Sequence, residues 1–349
     1  MPAGIAALRF GSRAVSVAGL LVMGVAGIAS ALSPSVTALA ATRFLAGVGA
    51  AFFFSPGLSF LARYYPAGQR GPIIGWYNGA FSIGAGLGIF GGAVAGAAFG
   101  WPFALGLGGV LLLPMAVLVL VAAPPDPPGE LARRPGELWA RSLRVFRSRS
   151  LWALAFALTG FWGAVFVVAQ DMVQFAHDAR PEWGVGVAAA IAAAVVLVSV
   201  PGGPVGGWLA ERSRDPRWVA ALFGALTGLM VLAVPFAPLP VMVTAMLALG
   251  FFDGLVFTVI YLIPTYLAEG RGEAMALAVA LLNSVQVLVG SALAVLFGFL
   301  AAGPGYTVAW AAMALLTVVP LPLLLLVERQ ELPPRGVRTP PVRAPAPPA

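Results

Sequence analysis

The sequence predicts an all-α fold: a polytopic membrane helix bundle of about ten transmembrane helices, arranged as two pseudo-symmetric halves. Three observations carry that expectation. Hydrophobic residues make up 60% of the chain and charged residues only 9%, against about a quarter charged in soluble domains. A bilayer core about 30 Å thick takes roughly 20 apolar helical residues to cross, and such runs recur along all 349 residues. The few charges fall between the runs, almost never within them.

Ten runs can be read between Gly, Pro and Arg boundaries. The first, 14–32, follows a charged start and resembles a secretory leader, but it is too long for one and nine others follow. The second, 36–62, lies between an SPS turn and Arg63, and the third, 72–98, between Arg70 and a GWP turn. The fourth, 102–122, stops at the breaker run PPDPP, because proline cannot continue a helix. The fifth, 151–174, opens after Arg149 and leads into the charged connection 175–183. The sixth, 184–208, closes in GWLAER, and the seventh, 218–236, starts after Arg217. A PFAPLP turn precedes the eighth, 240–267; the ninth, 273–300, begins past Arg271; and an AGPG turn leads to the tenth, 305–327.

Positive charge stays on the cytoplasmic side during insertion. With the N-terminus inside, 18 of the 20 arginines fall in cytoplasmic segments; Arg180 lies in an outer connection and Arg43 within a span. Both termini are therefore expected inside, in the inner (plasma) membrane, as an even number of spans requires. The longest connection is cytoplasmic and divides the chain into four and six spans. The expected organisation is a bundle at 1–122, a connection at 123–150, a second bundle at 151–330 and a disordered tail at 331–349. In that connection Leu138, Trp139, Ser142, Val145 and Phe146 recur at helical spacing against Arg141, Arg144 and Arg147, the pattern of a helix lying along the lipid surface.

Composition also excludes functions. A net charge of +7 would suggest nucleic acid in a soluble protein, but that needs basic residues gathered on one exposed face. There is no Lys, no Cys and a single His. Disulfides, thiolate metal sites and Cys nucleophiles are thereby removed, and no Gly-rich phosphate loop with its Lys can form. The chain is expected to be no enzyme, to need no cofactor or metal and to bind no nucleic acid.

An internal repeat is present. Gly207-Trp208-Leu209-Ala210-Glu211-Arg212 closes the sixth span, and Gly4-Ile5-Ala6-Ala7-Leu8-Arg9-Phe10-Gly11-Ser12-Arg13 opens the chain; aligned on their first Gly, they share Gly, Ala and Arg at equal offsets. Both copies resemble the loop between helices 2 and 3 of the major facilitator superfamily, G-x-L-A-D-R-x-G-R-R, which recurs between helices 8 and 9. Leu39-Ala-Ala-Thr-Arg43-Phe-Leu-Ala-Gly47-Val-Gly49 is similar to the family's fourth helix, where an Arg precedes G-x-G. SIGAGLGIFGG at 82–92 is similar to its fifth-helix antiporter pattern, except that Ile89 stands where the Pro belongs. That departure tells against drug/proton antiport.

The resemblance implies that the ten spans are helices 3 to 12. Residue 1 then falls at the inner end of helix 2, as a late start codon or a genuine truncation would give. It also implies that Gly4, Arg9, Gly11, Arg13, Gly207, Glu211 and Arg212 form gating loops, in which a carboxylate latches one state of an alternating cycle. Glu211 supplies the acid in the second copy; Leu8 stands in its place in the first.

Other candidates follow from polar residues in apolar surroundings. An ionisable group at mid-membrane costs at least about 2.5 kcal/mol on insertion scales, so Asp253 and Arg43 stand out. Asp253, among Phe residues in the implied cavity-lining helix 10, suits a proton carrier, or else a buried hydrogen-bonded acid. Arg43 suits anion binding or a charge relay, or else structural ion pairing. Gln170 and Gln174 lie one turn apart on a face continued by Trp162 and Phe166; Asn283 and Gln286 lie one turn apart in the ninth span; Tyr77, Asn78 and Tyr261 complete the low-specificity cavity candidates. Gly84, Gly88, Gly92 and Gly96 recur every fourth residue, as do Gly290 and Gly298 around Ala294, and such stripes let a neighbouring helix approach closely. Pro201, Gly202, Gly203, Pro204, Gly206 and Gly207 are expected to weaken the end of their helix, or to kink it.

The reading that follows is a monomeric secondary transporter, moving a small solute across the membrane by alternating access. Proton coupling follows from Asp253 and an organic or inorganic anion from Arg43. The alternative is a non-transporting sensor, partner subunit or truncated remnant. The partners are the lipid bilayer, a small-molecule solute and, on the coupled reading, protons.

Overall fold

The computed structural model describes residues 2–65, 69–124, 126, 135–183, 185–267 and 272–328. The expected tail at 331–349 and the side chains of Leu8, Ile89, Leu138 and Trp139 lie outside the described residues. In chain order the helices are α1 (Pro2–Phe10), α2 (Ser12–Ala31), α3 (Val36–Tyr64), α4 (Arg70–Phe99), α5 (Trp101–Ala122), α6 (Pro135–Phe146), α7 (Arg149–Ala157), α8 (Thr159–Ala179), α9 (Val185–Arg212), α10 (Pro216–Ala233), α11 (Leu239–Leu267), α12 (Gly272–Ala302) and α13 (Tyr306–Val318). No strand occurs among the described residues. Nine stretches of them are long and apolar enough to cross a bilayer, and the 30-residue α4 runs beside these.

Two details depart from the spans read in the sequence. The fifth is two helices, α7 and α8, divided at Leu158. The tenth ends in a 3-10 turn, Leu321–Leu326, because Pro320 and Pro322 lack the N–H groups that an α-helical ladder requires. The amphipathic segment of the central connection is helical as α6, but its apolar face meets protein. Val145 is buried in a cluster with Leu277, Ala278 and Leu281 of α12, and Ser142 is buried as well. Phe146 remains exposed and packs on Trp152.

α1 and α2 are separated by Gly11, whose φ of 88° lies in the left-handed region that glycine enters without steric cost. A Cβ there would stand 2.5 Å from Asp126 Oδ2. The exposed N–H groups at a helix start want an acceptor, and Asp126 supplies it from just beyond α5. Its carboxylate accepts from the Ser12 N–H at 2.9 Å and the Arg13 N–H at 3.0 Å. Arg13 in turn donates to the Leu120 carbonyl of α5.

The first-half helices meet the second-half helices mainly through glycine. A Cβ added to Gly71 of α4 would lie 2.6 Å from the Gly207 carbonyl oxygen of α9, and one added to Gly203 of α9 would lie 2.5 Å from the Gly75 carbonyl oxygen. Further along, the Ser199 hydroxyl donates to Ser82 Oγ at 2.7 Å, and Gly86 approaches Leu197. α9 uses its other face in the same way. Gly202 and Gly206 approach the backbone of Phe251 and Leu255 in α11, and Gly250 and Gly254 of α11 approach Val195 and Ser199. α9 is continuous through Pro201 and Pro204 of the Pro201–Gly207 run. Its glycines form two adjacent seams, one for each neighbour.

The expected packing stripe on α4 is therefore corrected. Among the described residues, Gly84, Gly88 and Gly92 would carry a Cβ with nothing within 4 Å, and Gly96 meets Ala104 at 3.9 Å. At 100° per residue, Gly84 lies about 180° around the helix from Gly75, so it faces away from α9. Gly298 likewise has nothing within 4 Å, whereas a Cβ on Gly290 would lie 3.5 Å from the Trp162 Cβ. The interhelical contact among the described glycines runs from the arginine-rich end of the bundle to Gly86 and Leu197.

Gly75→Ala should force α4 off α9, because overpacking costs about 1–3 kcal/mol and every 1.4 kcal/mol is a factor of about ten. Since the chain has no Cys, Ser199→Cys, introduced at a buried position, reports on the seam. Its maleimide labelling should rise about tenfold when Gly75→Ala is added, and unchanged labelling would refute the seam.

Candidate functional site

Alongside the glycine seam, aromatic residues from both halves close over one another. Phe54 of α3 lies 5.7 Å from Tyr77 and 6.0 Å from Phe81 of its own half, and 6.0 Å from Phe257 and 5.7 Å from Tyr261 of α11. Phe257 touches Tyr261 at 4.7 Å, one helical turn on, and Trp162 of α8 at 5.6 Å; Trp162 then meets Phe166 at 5.5 Å. Aromatic pairs at these separations contribute about 0.5–1.5 kcal/mol each beyond burial. Together they form a floor across the bundle.

Polar atoms are threaded through this floor. The Tyr261 hydroxyl, fully buried, lies 3.1 Å from Asn283 Oδ1 and 3.3 Å from Gln286 Oε1 on α12, and its one proton serves either of them. The Tyr77 hydroxyl donates to the Phe54 carbonyl at 3.1 Å. Asn78 and Gln286 are buried, at 2% and 0% exposure. Asn78 Nδ2, Gln286 Nε2 and Trp162 Nε1 are each buried without a hydrogen-bond partner. Asp253 stands one turn from Phe257 on α11, away from the arginine-rich end, and is half-buried.

Of the residues singled out in the sequence, the fold brings together Tyr77, Tyr261, Asn283, Gln286 and Trp162, with Asp253 one turn from Phe257; Asn78 is buried on α4 beside Tyr77 in the chain. Arg43 stands apart. It is exposed, and its guanidinium donates to Ser30 Oγ of α2 at 2.9 and 2.6 Å. Gln170 is exposed further along α8, and Gln174 donates to both Asp178 oxygens at 2.9 Å. Phe54 and Phe257 went unnoticed in the sequence; the signal available was the four-residue spacing of Phe257 and Tyr261.

The second gating loop makes a contact between halves. Glu211 at the end of α9 accepts from the Gly71 N–H, at the start of α4, at 2.7 Å. A carboxylate at a helix N-terminus is stabilised by the unpaired N–H groups and the helix dipole. Arg212 lies 4.1 Å over the Trp208 ring, and Arg9 lies 5.1 Å over Phe10. In the first copy Gly4 is buried in α1, while Gly11 and Arg13 serve the Asp126 junction.

At the far end a second polar cluster ties α8 to α13. Asp178 accepts from Tyr306 at 2.7 Å and lies 2.8 Å from His177 Nδ1. The hydrogen bonds from His177, then Gln174 and Tyr306, hold its carboxyl down to about 2. Beneath it Phe175 packs on Trp183, Tyr306 and Trp310. No group of three or more metal-ligating side chains occurs among the described residues.

Comparison with known proteins places this geometry. Residues 1–290 match the family model described as Major Facilitator Superfamily. The human Monocarboxylate transporter 11 is 33% identical over 246 residues, covering 66% of this chain and 49% of that protein. The 4-hydroxybenzoate transporter PcaK of Pseudomonas aeruginosa is 34% identical over 116 residues, 33% of this chain and 26% of that one. The chain thus spans about half the length of the first relative and about a quarter of the second. A crystal structure of the E. coli fucose:proton symporter FucP superposes with a TM-score of 0.75 at 16% identity, over 94% of this chain and 87% of that one.

Two substitutions check the polar clusters. Tyr261→Phe removes the one hydroxyl proton between the Asn283 and Gln286 side chains and should cost about 1–3 kcal/mol, read as a lowered melting temperature. The Asp178 carboxyl sits below its unfolded value of about 3.9, so its stabilising contribution is complete above pH ~4 and is lost as pH falls toward about 2. The melting temperature should fall over that window, and fall less in Asp178→Asn.

Proposed function

The chain belongs to the Major Facilitator Superfamily, and from that premise we propose that it is a secondary transporter carrying a small solute across the cytoplasmic membrane by alternating access. The observation that carries this is the glycine seam across which the halves meet, bridged at one end by Glu211. Backbone of α4 meets backbone of α9 at Gly71–Gly207, Gly75–Gly203 and Gly79–Val200, and Gly86 meets the Leu197 side chain. On the orientation that the arginines favour, the Gly71–Gly207 end of the seam is cytoplasmic and the aromatic floor lies on its outer side. Parting the glycine seam would expose the floor to the cytoplasm.

Glu211 serves as the latch. Its bond to the Gly71 N–H spans the two halves, so it exists only while this end is shut. Asp253 serves as the proton carrier. It stands beside the floor with no hydrogen bond or ion pair to any described residue, and an ionisable group inside a membrane span marks an ion or proton path more often than not. The solute is a small anion, a reading in line with the printed names of the monocarboxylate and 4-hydroxybenzoate transporters.

Purified chain in proteoliposomes should accumulate labelled lactate or 4-hydroxybenzoate when the acidic side faces out. One pH unit is worth about 1.4 kcal/mol, or roughly tenfold accumulation for one proton per monoanion. Asp253→Asn should abolish the accumulation while sparing exchange at equal pH. Absence of flux of either solute, with or without the gradient, would overturn the reading.

A further inference from the structure

The turn between α6 and α7 gathers positive charge that no described carboxylate balances. Arg144, Arg147 and Arg149 are exposed there and make no ion pair with any described residue. No Asp or Glu occurs from 140 to 157. Glu328 reaches the turn by its backbone, the N–H donating to Ser150 Oγ at 3.2 Å. The turn itself is fastened on both sides. The Arg147 and Ser148 N–H groups donate to the Leu143 and Val145 carbonyls at 3.0 and 3.1 Å, and Val145 is buried against α12.

A rail of rings rises from these arginines. The Trp152 indole N–H donates to the Phe146 carbonyl at 2.8 Å, which sets the ring 6.5 Å from that of Phe146; on its other side it stacks on Phe156 at 5.7 Å and 19°. Phe146 and Phe156 are 44% and 42% exposed. At 1.5 Å per residue, Phe156 stands about 10 Å along α7 from Arg149, and the stretch Arg149–Val168 is long and apolar enough to cross a bilayer. On the orientation that the arginines favour, charge therefore lies at the cytoplasmic surface and open ring surface at hydrocarbon depth. A nucleic acid or an acidic protein segment would meet the arginines and leave the rings unused. A phospholipid joins a charged head to an apolar tail and fits both. Anionic lipids of the inner leaflet draw basic residues beside membrane spans, and a guanidinium grips phosphate with two parallel hydrogen bonds.

We propose that the α6–α7 turn is a binding site for an anionic phospholipid of the inner leaflet: its phosphate lies among Arg144, Arg147 and Arg149, and an acyl chain runs along Phe146, Trp152 and Phe156. The site is independent of the transport reading, since none of these residues belongs to the aromatic floor. It touches the floor's support through α12. Val145, on the buried face of α6, packs on Leu277, Ala278 and Leu281, and Asn283 follows two residues after Leu281. A lipid held at the turn thus fixes the depth at which the inner end of α12 sits.

The test uses the full chain in phosphatidylcholine vesicles. Because the chain has no Cys, Phe156→Cys gives one labelling position, where a bimane ring replaces the phenyl and is quenched by lipids carrying brominated acyl chains. Brominated phosphatidylglycerol should bind about fivefold or more tightly than brominated phosphatidylcholine. The ratio should approach one in about 1 M salt, where the Debye length is only about 3 Å. Arg144→Gln, Arg147→Gln and Arg149→Gln together should bring it to one at low salt, and the three Arg→Lys exchanges, which keep the charge, should preserve most of it. Should the triple Gln variant not assemble, each single Arg→Gln exchange is expected to lower the ratio about twofold or more. Equal quenching by the two lipids, or a preference that survives every Gln exchange, overturns the proposal. So does loss of the preference on adding micromolar polyglutamate or inorganic phosphate, which would assign the arginines to an acidic protein or a free anion.

Discussion

Backbone resting on backbone, along α4 and α9, is the constraint on which the remaining architecture depends. Gly71, Gly75, Gly203 and Gly207 leave no room for a side chain between the helices, so the axes come as close as glycine permits. In a membrane such closeness matters more than in water, because apolar side chains gain nothing by leaving lipid and contact itself must supply the association. The approach of α4 then carries Tyr77, and with it Phe54, onto Phe257 and Tyr261 of the other half. The floor is thus set by a seam about one turn away from it. Because α9 is glycine-lined on two faces, it also fixes α11, and Asp253 with it.

Acidic side chains finish three helix starts in this chain, and their placement divides them into two kinds. Asp126 serves α2, and Asp215 serves α10, accepting from the Arg217 N–H at 3.1 Å. Both act within a half and are indifferent to how the halves sit. Glu211 serves α4 from the opposite half, so its hydrogen bond must break whenever α4 and α9 separate. Such a bond is worth about 1.5–3 kcal/mol when one partner is charged. That is strong enough to bias a two-state equilibrium and weak enough to be released. The Leu8 backbone lies in α1, and no acid of the first repeat is available to do the same there.

The spans were legible because apolar length is a property of short windows, and the arginines punctuate them. What failed was the choice of face. On α4 glycines recur at four-residue spacing in two registers, Gly71-Gly75-Gly79 and Gly84-Gly88-Gly92, and spacing alone does not say which one meets a partner. The complementary pair on α9, Gly203 and Gly207, decides it, but only once the two helices are known to be neighbours. The division at Leu158 and the burial of Val145 under α12 are likewise products of packing. In the site, Tyr261, Asn283 and Gln286 stood out because a polar group in an apolar run is conspicuous. Phe54 and Phe257 did not, since the chain has 22 Phe and lipid-facing ones look the same. Asp126 was invisible as a cap because its partners lie more than 110 residues away.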